Sequence, residues 1–253
     1  MLPQVPALPD IKGGQMAIGE VALRLAGLLA STRSVISIIR NEAQIPDLKA
    51  VSPRISPHVL SLEDAPATDF TRIFTGADVV VFSAGAGGKG GPERTLAIDY
   101  HGAVKVFDAI EAVEGAKPRL LLVSAIDIRD HSKPFPAHYN EGDKEISRKY
   151  ADALKNYVEA KYLADKNLIG RTAFKWTILR PGTLLDTPGT GRVSIGRTHL
   201  SPGIPRDDVA QTLAHLVDRP DAAGLAIDAI GGESPIGEAL DAFIKKGETD
   251  WVG

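Results

Sequence analysis

Short aliphatic runs alternating with segments of helical periodicity are the feature that most constrains how this chain can fold. Val21, Ala22, Leu25, Leu28 and Leu29 recur on one helix face from about Gly19, and Ser34-Val-Ile-Ser-Ile-Ile39 follows as a buried strand. A weaker strand covers Ile55 to Leu62. A strong one, Asp78-Val-Val-Val-Phe-Ser83, runs into Ala84-Gly85-Ala86-Gly87-Gly88. A helix is expected from about Glu93 to Val113, strands over Arg119 to Ala125 and Lys175 to Arg180, and a short strand from Arg192 to Ile195. A helix over Arg206 to Val217, a strand over Gly224 to Ile230 and a helix over Pro235 to Lys246 complete the series. Strands that alternate with helices need crossover connections, so the expected fold is α/β: a doubly wound, parallel, Rossmann-like sheet. With 253 residues and 43% hydrophobic content the chain is long enough for one large domain spanning 1–253, with residues 1–18 atypical.

One helix carries a chemically suggestive spacing. In Tyr157-Val-Glu-Ala-Lys161 the tyrosine and lysine lie four apart and share a helix face, downstream of the strand ending at Ser124. A tyrosine ordinarily titrates near ~10, too high for proton exchange at neutral pH, and a neighbouring ammonium is expected to lower that value. Ser124, at the carboxyl end of its strand, could donate a hydrogen bond to the same substrate oxygen. Tyr162-Leu-Ala-Asp-Lys166 has the same spacing, but position 162 lies about 140° around the helix from 157, so one regular helix cannot point both pairs at one site.

Taken with Val35 to Asn41, Ala77 to Gly88, Asp99-Tyr-His-Gly-Ala-Val-Lys105, Trp176-Thr-Ile-Leu-Arg-Pro-Gly182 and Asp207-Asp-Val-Ala210, these motifs resemble the atypical short-chain dehydrogenase/reductase family, in its fungal NAD(P)-binding, NmrA-like branch. The resemblance runs from about Gly19 to Lys246. It implies that Tyr157 is the general acid/base, that Lys161 tunes it and binds the nicotinamide ribose, and that Ser124 orients the substrate. Asp99 stands where the family has an asparagine. Gly85 and Gly87 fall near the cofactor. Arg40, at the end of the second expected strand, suits the 2′-phosphate of NADP better than the ribose hydroxyls of NAD. The expected function is NADP-dependent oxidation or reduction of a small carbonyl or alcohol substrate, with NADPH preferred over NADH.

The amino end departs from this pattern. Prolines at 3, 6 and 9 spoil residues 1 to 12 as a central first strand, so that strand is expected to be altered or missing. Gly13, Gly14 and Gly19 are the candidate phosphate-turn glycines, with Met16 where the middle glycine belongs. An altered amino end, a shifted phosphate turn through Gly13-Gly14, and loss of cofactor binding are all compatible with it. Two other functions stay open: a non-catalytic NADP-binding sensor, and a cofactor-independent isomerase or cyclase derived from the fold.

Other classes find little support. A net charge of −3 supplies no basic field for nucleic acid. The absence of cysteine removes disulfides, thiolate zinc sites and cysteine nucleophiles, and the six histidines have no metal-ligand spacing, so no metal site is expected. Gly85-Ala-Gly-Gly-Lys89-Gly-Gly91 lacks the Ser or Thr after lysine of a nucleoside-triphosphate loop. No apolar run approaches about 18 residues, and the start lacks a signal-peptide pattern, so a cytoplasmic protein without membrane contact is expected. The long stretch from Ala125 to Asp143 is expected to act as a lid or substrate loop, with His138 and Tyr139 exposed on it, while Arg197-Thr-His199 is a further candidate for the cleft wall. The partner is a small molecule; the oligomeric state is open.

Overall fold

The computed structural model describes residues 19–87 and 90–253. The amino-terminal half contains α1 (Glu20–Ala30), β1 (Val35–Ile39), α2 (Ile45–Val51), β2 (Ile55–Val59), α3 (Ala67–Phe74), β3 (Val79–Phe82), α4 (Gly91–Thr95), α5 (Ala103–Glu111) and β4 (Arg119–Val123). The rest is α6 (Glu141–Ala153), α7 (Lys155–Ile169), β5 (Trp176–Pro181), β6 (Leu184–Leu185), β7 (Arg192–Ile195), β8 (Ile204–Pro205), α8 (Arg206–Val217), β9 (Ala226–Gly231), β10 (Ser234–Pro235) and α9 (Ile236–Lys246).

The main sheet has the order β10-β7-β9-β5-β4-β3. Strands β3, β4, β5 and β9 are mutually parallel, whereas β7 and β10 pair antiparallel at one edge. The expected parallel sheet therefore carries an antiparallel margin, a common finish for a doubly wound sheet. Alternation along the strands feeds two cores. Leu120, Leu122 and Ile178 pack with Phe70, Phe107 and Leu168 from α3, α5 and α7. Leu121, Leu179 and Ile227 pack with Leu25, Leu213 and Leu240 from α1, α8 and α9. Successive side chains on a strand point to opposite faces, so strands buried on both faces read as unbroken apolar runs. This is the helix-covered, mostly parallel sheet of a Rossmann-like fold.

β1 and β2 form a separate parallel pair, and among the described residues no strand links them to β3. Helix α1 joins the two parts: Leu23, Ala26 and Ala30 pack with Ile39, Leu48 and Ile55, while Val21 and Leu25 belong to the core under α8. Arg24 adds a 2.8 Å ion pair to Asp207 on α8. The expectation of an altered or missing first strand concerns residues outside the described ones.

The start of the stretch after β4 is packed into the protein, whereas residues 132–134 and 137 farther along are exposed. Ile126, Asp127, Ile128 and Arg129 are buried. Arg129 pairs with Asp127 at 2.8 Å and donates to Ser147 Oγ at 3.1 Å, and the hydroxyl of buried Tyr139 donates to Asp127 Oδ1 at 3.1 Å. These buried contacts hold the start of the loop and Tyr139 against the protein. Tyr139 is thus a core residue, not an exposed one.

Candidate functional site

The expected catalytic residues meet at the carboxyl ends of β3 and β4. Lys161 is 4% exposed on α7; its Nζ donates to the Val123 carbonyl at 3.1 Å and lies 3.7 Å from Asp99 Oδ1. Asp99 Oδ2 accepts from the Ala86 backbone N–H at 3.0 Å, tying the glycine-rich turn after β3 to the lysine. Gly85 is required there because a Cβ would stand 2.9 Å from Asp99 Oδ1, and Gly87 has φ +62°, the left-handed region glycine enters freely. Asp99 reaches this position from a π-helical turn, Leu96–Gly102, between α4 and α5. The sequence pattern suggested one continuous helix from Glu93 to Val113. The wider turn rotates the following residues, and such turns recur at functional sites.

Ser124 is also buried here, but its hydroxyl points into the protein. Oγ donates to Asp165 Oδ2 at 2.7 Å. Tyr157, Lys161 and Asp165 are spaced i, i+4, i+8 on α7 and form one stripe. The signal for Asp165 was present in the sequence as the next member of that spacing. The Lys161 Nζ is 6.0 Å from the centre of the Tyr157 ring, which packs with Ala125, Ile128, Val158 and Tyr150.

The electrostatics correct one expectation. Burial, reinforced by Tyr150, Asp99 and Asp165, pushes the Tyr157 phenol well above its ordinary value. The lysine was expected to lower it. Asp99 stands beside Lys161 and offsets its charge, so desolvation of the phenolate prevails. The Tyr157 phenol therefore stays protonated at neutral pH. Tyr162, of identical spacing, instead stacks on Trp251 at 5.7 Å and serves packing.

Burial raises two further carboxyls, Asp165 to about 6 and Asp228 to about 7, against the pull of Arg180 on both. An acid whose pKa is higher in the folded than in the unfolded chain stabilises the fold fully below the unfolded value and loses that contribution as pH rises through the folded one. The contribution of these two carboxyls is accordingly expected to shrink as pH rises from about 4 to about 7, while His131, His138 and His215, which burial holds below their ordinary value, act in the opposite sense. Scanning calorimetry on the unaltered protein and Asp228→Asn at constant ionic strength isolates the Asp228 part: the unaltered protein is expected to lose melting temperature relative to the variant across that window, and a difference that does not change with pH would contradict it.

The other expected residues lie around this centre. Gly19 starts α1 with no side-chain cap, and its Cα faces the Ser83 carbonyl, where a Cβ would stand at 3.5 Å. Among the described residues no side chain caps the first turn of α1, which begins near the end of β3, an arrangement suited to a pyrophosphate. Arg40 is exposed just after β1, where Gln44 Oε1 accepts from its backbone N–H at 2.9 Å. Gly13 and Gly14 lie outside the described residues. An uncapped helix start, a turn with small side chains and an exposed guanidinium at neighbouring strand ends fit a dinucleotide. A cavity of about 560 Å³ lined by Asp78, Arg119, Lys175 and Val217 lies at the opposite, amino ends of the strands, away from where this fold places its ligands.

A family model described as NAD(P)H-binding matches residues 17–220. The chain belongs to that family. It is 38% identical to a UPF0659 protein of Schizosaccharomyces pombe, over 92% of this chain and 95% of that one. It is 34% identical to the uncharacterized sugar epimerase YhfK of Bacillus subtilis, over 88% and 95% of the two chains. Among solved structures, the oxidoreductase ylbE from Lactococcus lactis superposes with a TM-score of 0.74 at 27% identity, covering 90% of this chain and 93% of that one. As a member of the NAD(P)H-binding family, the protein has a nicotinamide-binding fold with oxidoreductase and epimerase-like relatives. Among the described residues no helix is long and apolar enough to cross a membrane.

His199 Nδ1 lies 2.6 Å from Asp143 Oδ2, and Asp143 Oδ1 accepts from the Leu200 N–H at 2.9 Å. Asp143 also closes the capping box of α6 with Asn140. The Arg197-Thr-His199 segment is thereby tied to the start of α6.

Proposed function

We propose that the protein is an NADPH-dependent reductase of the short-chain dehydrogenase/reductase type, of the NmrA-like branch, acting on a small carbonyl substrate. The observation that carries this reading is the protonated Tyr157 phenol, on one helix face with Lys161 at the carboxyl ends of β3 and β4. A bound nicotinamide supplies the hydride. The residues that would hold the dinucleotide are Gly19 at the entry to α1, Arg40 after β1, Gly85 and Gly87 after β3, and Lys161, together with Gly13 and Gly14, which lie outside the described residues. Tyr157 gives its proton to the substrate oxygen as negative charge develops there. Burial keeps the phenol in the protonated form that reduction requires but also makes it a weaker acid, so the transfer is driven by the negative charge that builds on the substrate oxygen. Ser124 helps to hold the same oxygen, and Lys161 anchors α7 to β4 through the Val123 carbonyl.

The preference for NADPH rests on Arg40. Its exposed guanidinium has no side-chain partner among the described residues, leaving it free for a 2′-phosphate. Calorimetric titration is expected to show NADPH binding about 10- to 100-fold more tightly than NADH, the size of a charge-assisted hydrogen bond, and Arg40→Ala is expected to erase the difference. Equal affinities in the unaltered protein would refute the assignment.

The 34% identity to a protein named as a sugar epimerase favours a second reading, in which the same residues serve a reaction with no net redox change. Net consumption of NADPH with a generic dicarbonyl such as phenanthrenequinone separates the two.

A further inference from the structure

Asp165 has no part in the mechanism above, yet its surroundings are unusually specific. Its side chain is 0% exposed, Oδ2 receives the Ser124 hydroxyl at 2.7 Å, and Oδ1 has no hydrogen-bond partner among the described residues. Charged and titratable groups face it from every neighbouring element. Lys161 and Tyr157 belong to its own helix, Arg180 to β5 and Asp228 to β9, while Asp99 of the π turn pairs with Lys161. An ionised carboxylate can only accept hydrogen bonds, whereas a hydroxyl has a single proton to give.

We infer that Asp165 is a positioning residue that sets which way the Ser124 hydroxyl donates. While Asp165 is ionised it takes the Ser124 proton inward, and Oγ offers a substrate oxygen nothing to bind. A proton on Oδ2 reverses the bond: the carboxyl donates to Oγ, and the serine hydroxyl is released toward the substrate. The inference rests on the reading of Ser124 as a hydrogen-bond donor to the substrate oxygen. Burial lifts the Asp165 carboxyl to about 6, so the exchange falls within the working range of an ordinary enzyme. Asparagine at 165 removes the titration, and with its Nδ2 turned to Oγ it donates there and holds the releasing state at every pH.

Two measurements on the full chain test this. In infrared difference spectra, one protonated-carboxyl band is expected to titrate near pH 6 in the unaltered protein and to vanish in Asp165→Asn. In Ser124→Ala its midpoint moves up, because the hydrogen bond that favours the anion is gone. With NADPH and phenanthrenequinone, kcat/KM is expected to fall about 10-fold as pH rises through the Asp165 titration. Asp165→Asn holds the acid-side value throughout, while Ser124→Ala is slow at every pH. An Asp165→Asn variant with the unaltered pH slope, or one as slow as Ser124→Ala, overturns the inference. An unmoved carboxyl midpoint in Ser124→Ala does so as well, and that readout stands even if Asp165→Asn fails to fold. If the unaltered protein does not reduce the quinone at all, the reductase reading fails, and the carboxyl titration still decides whether the two residues exchange the proton.

Discussion

Replacing Tyr157 by phenylalanine is expected to lower kcat for NADPH-dependent reduction of phenanthrenequinone by about 10²- to 10⁴-fold, the contribution of a positioned general acid. Affinity for NADPH should stay within about twofold, because the hydroxyl serves a transition state and not the dinucleotide. The fold should survive, since phenylalanine keeps the ring that packs with Ala125, Ile128 and Val158. The paired control is Tyr162→Phe. Its parent has the same four-residue spacing to a lysine, with Lys166 Nζ 5.6 Å from the ring centre, but its ring stacks on Trp251. That variant is expected to keep kcat within about twofold. Steady-state kinetics and calorimetry on both proteins decide the matter: turnover retained in Tyr157→Phe, or lost equally in both, removes Tyr157 from the reaction.

The parts of this site that could be read in the sequence are those set by short-range periodicity. Strands β4 and β5 stand out because a strand covered on both faces must be apolar throughout, and the Tyr157 to Asp165 stripe follows from helix geometry alone. Helices α2 and α3 gave no such signal; at seven and eight residues they are too short for a clear period, and proline opens the first. The π turn was hidden because one extra residue per turn shifts a face without changing composition, and it is this shift that brings Asp99 to Lys161. The upward displacement of Tyr157 depends on that pairing and on burial, neither of which the spacing of tyrosine and lysine records. The separation of β1 and β2 from the main sheet is consistent with the broken pattern before Gly19, whose own residues lie outside the described ones.

Arg180 shows the same limit in its strongest form, and its replacement by methionine is expected to cost about 3–5 kcal/mol, as when one half of a buried ion pair is removed. In the sequence it is merely the last polar residue of a strand. In the fold it is 2% exposed and joins three distant segments. Its guanidinium donates to the carbonyls of Ala125 at 3.4 Å, Ile128 at 3.1 Å and Asp250 at 2.9 Å, and lies 3.2 Å from Asp228 Oδ1. Methionine keeps the length and removes every donor, so three carbonyls and a buried carboxylate lose their partner at once. Against a total stability of about 5–15 kcal/mol for a typical protein, that loss is a large share. The sign of its pH dependence follows from Asp228. Burial already raises that carboxyl to about 7, with Arg180 opposing the rise. Without the arginine it rises further and can take up a proton, which relieves the unpaired charge. Urea titrations are therefore expected to show a smaller deficit at about pH 6 than at about pH 8, and Asp228→Asn in the Arg180→Met background should recover part of the loss. A deficit that is equal at both pH values and unmoved by the second substitution would mean that the carbonyl contacts alone hold this junction, with no net contribution from the ion pair.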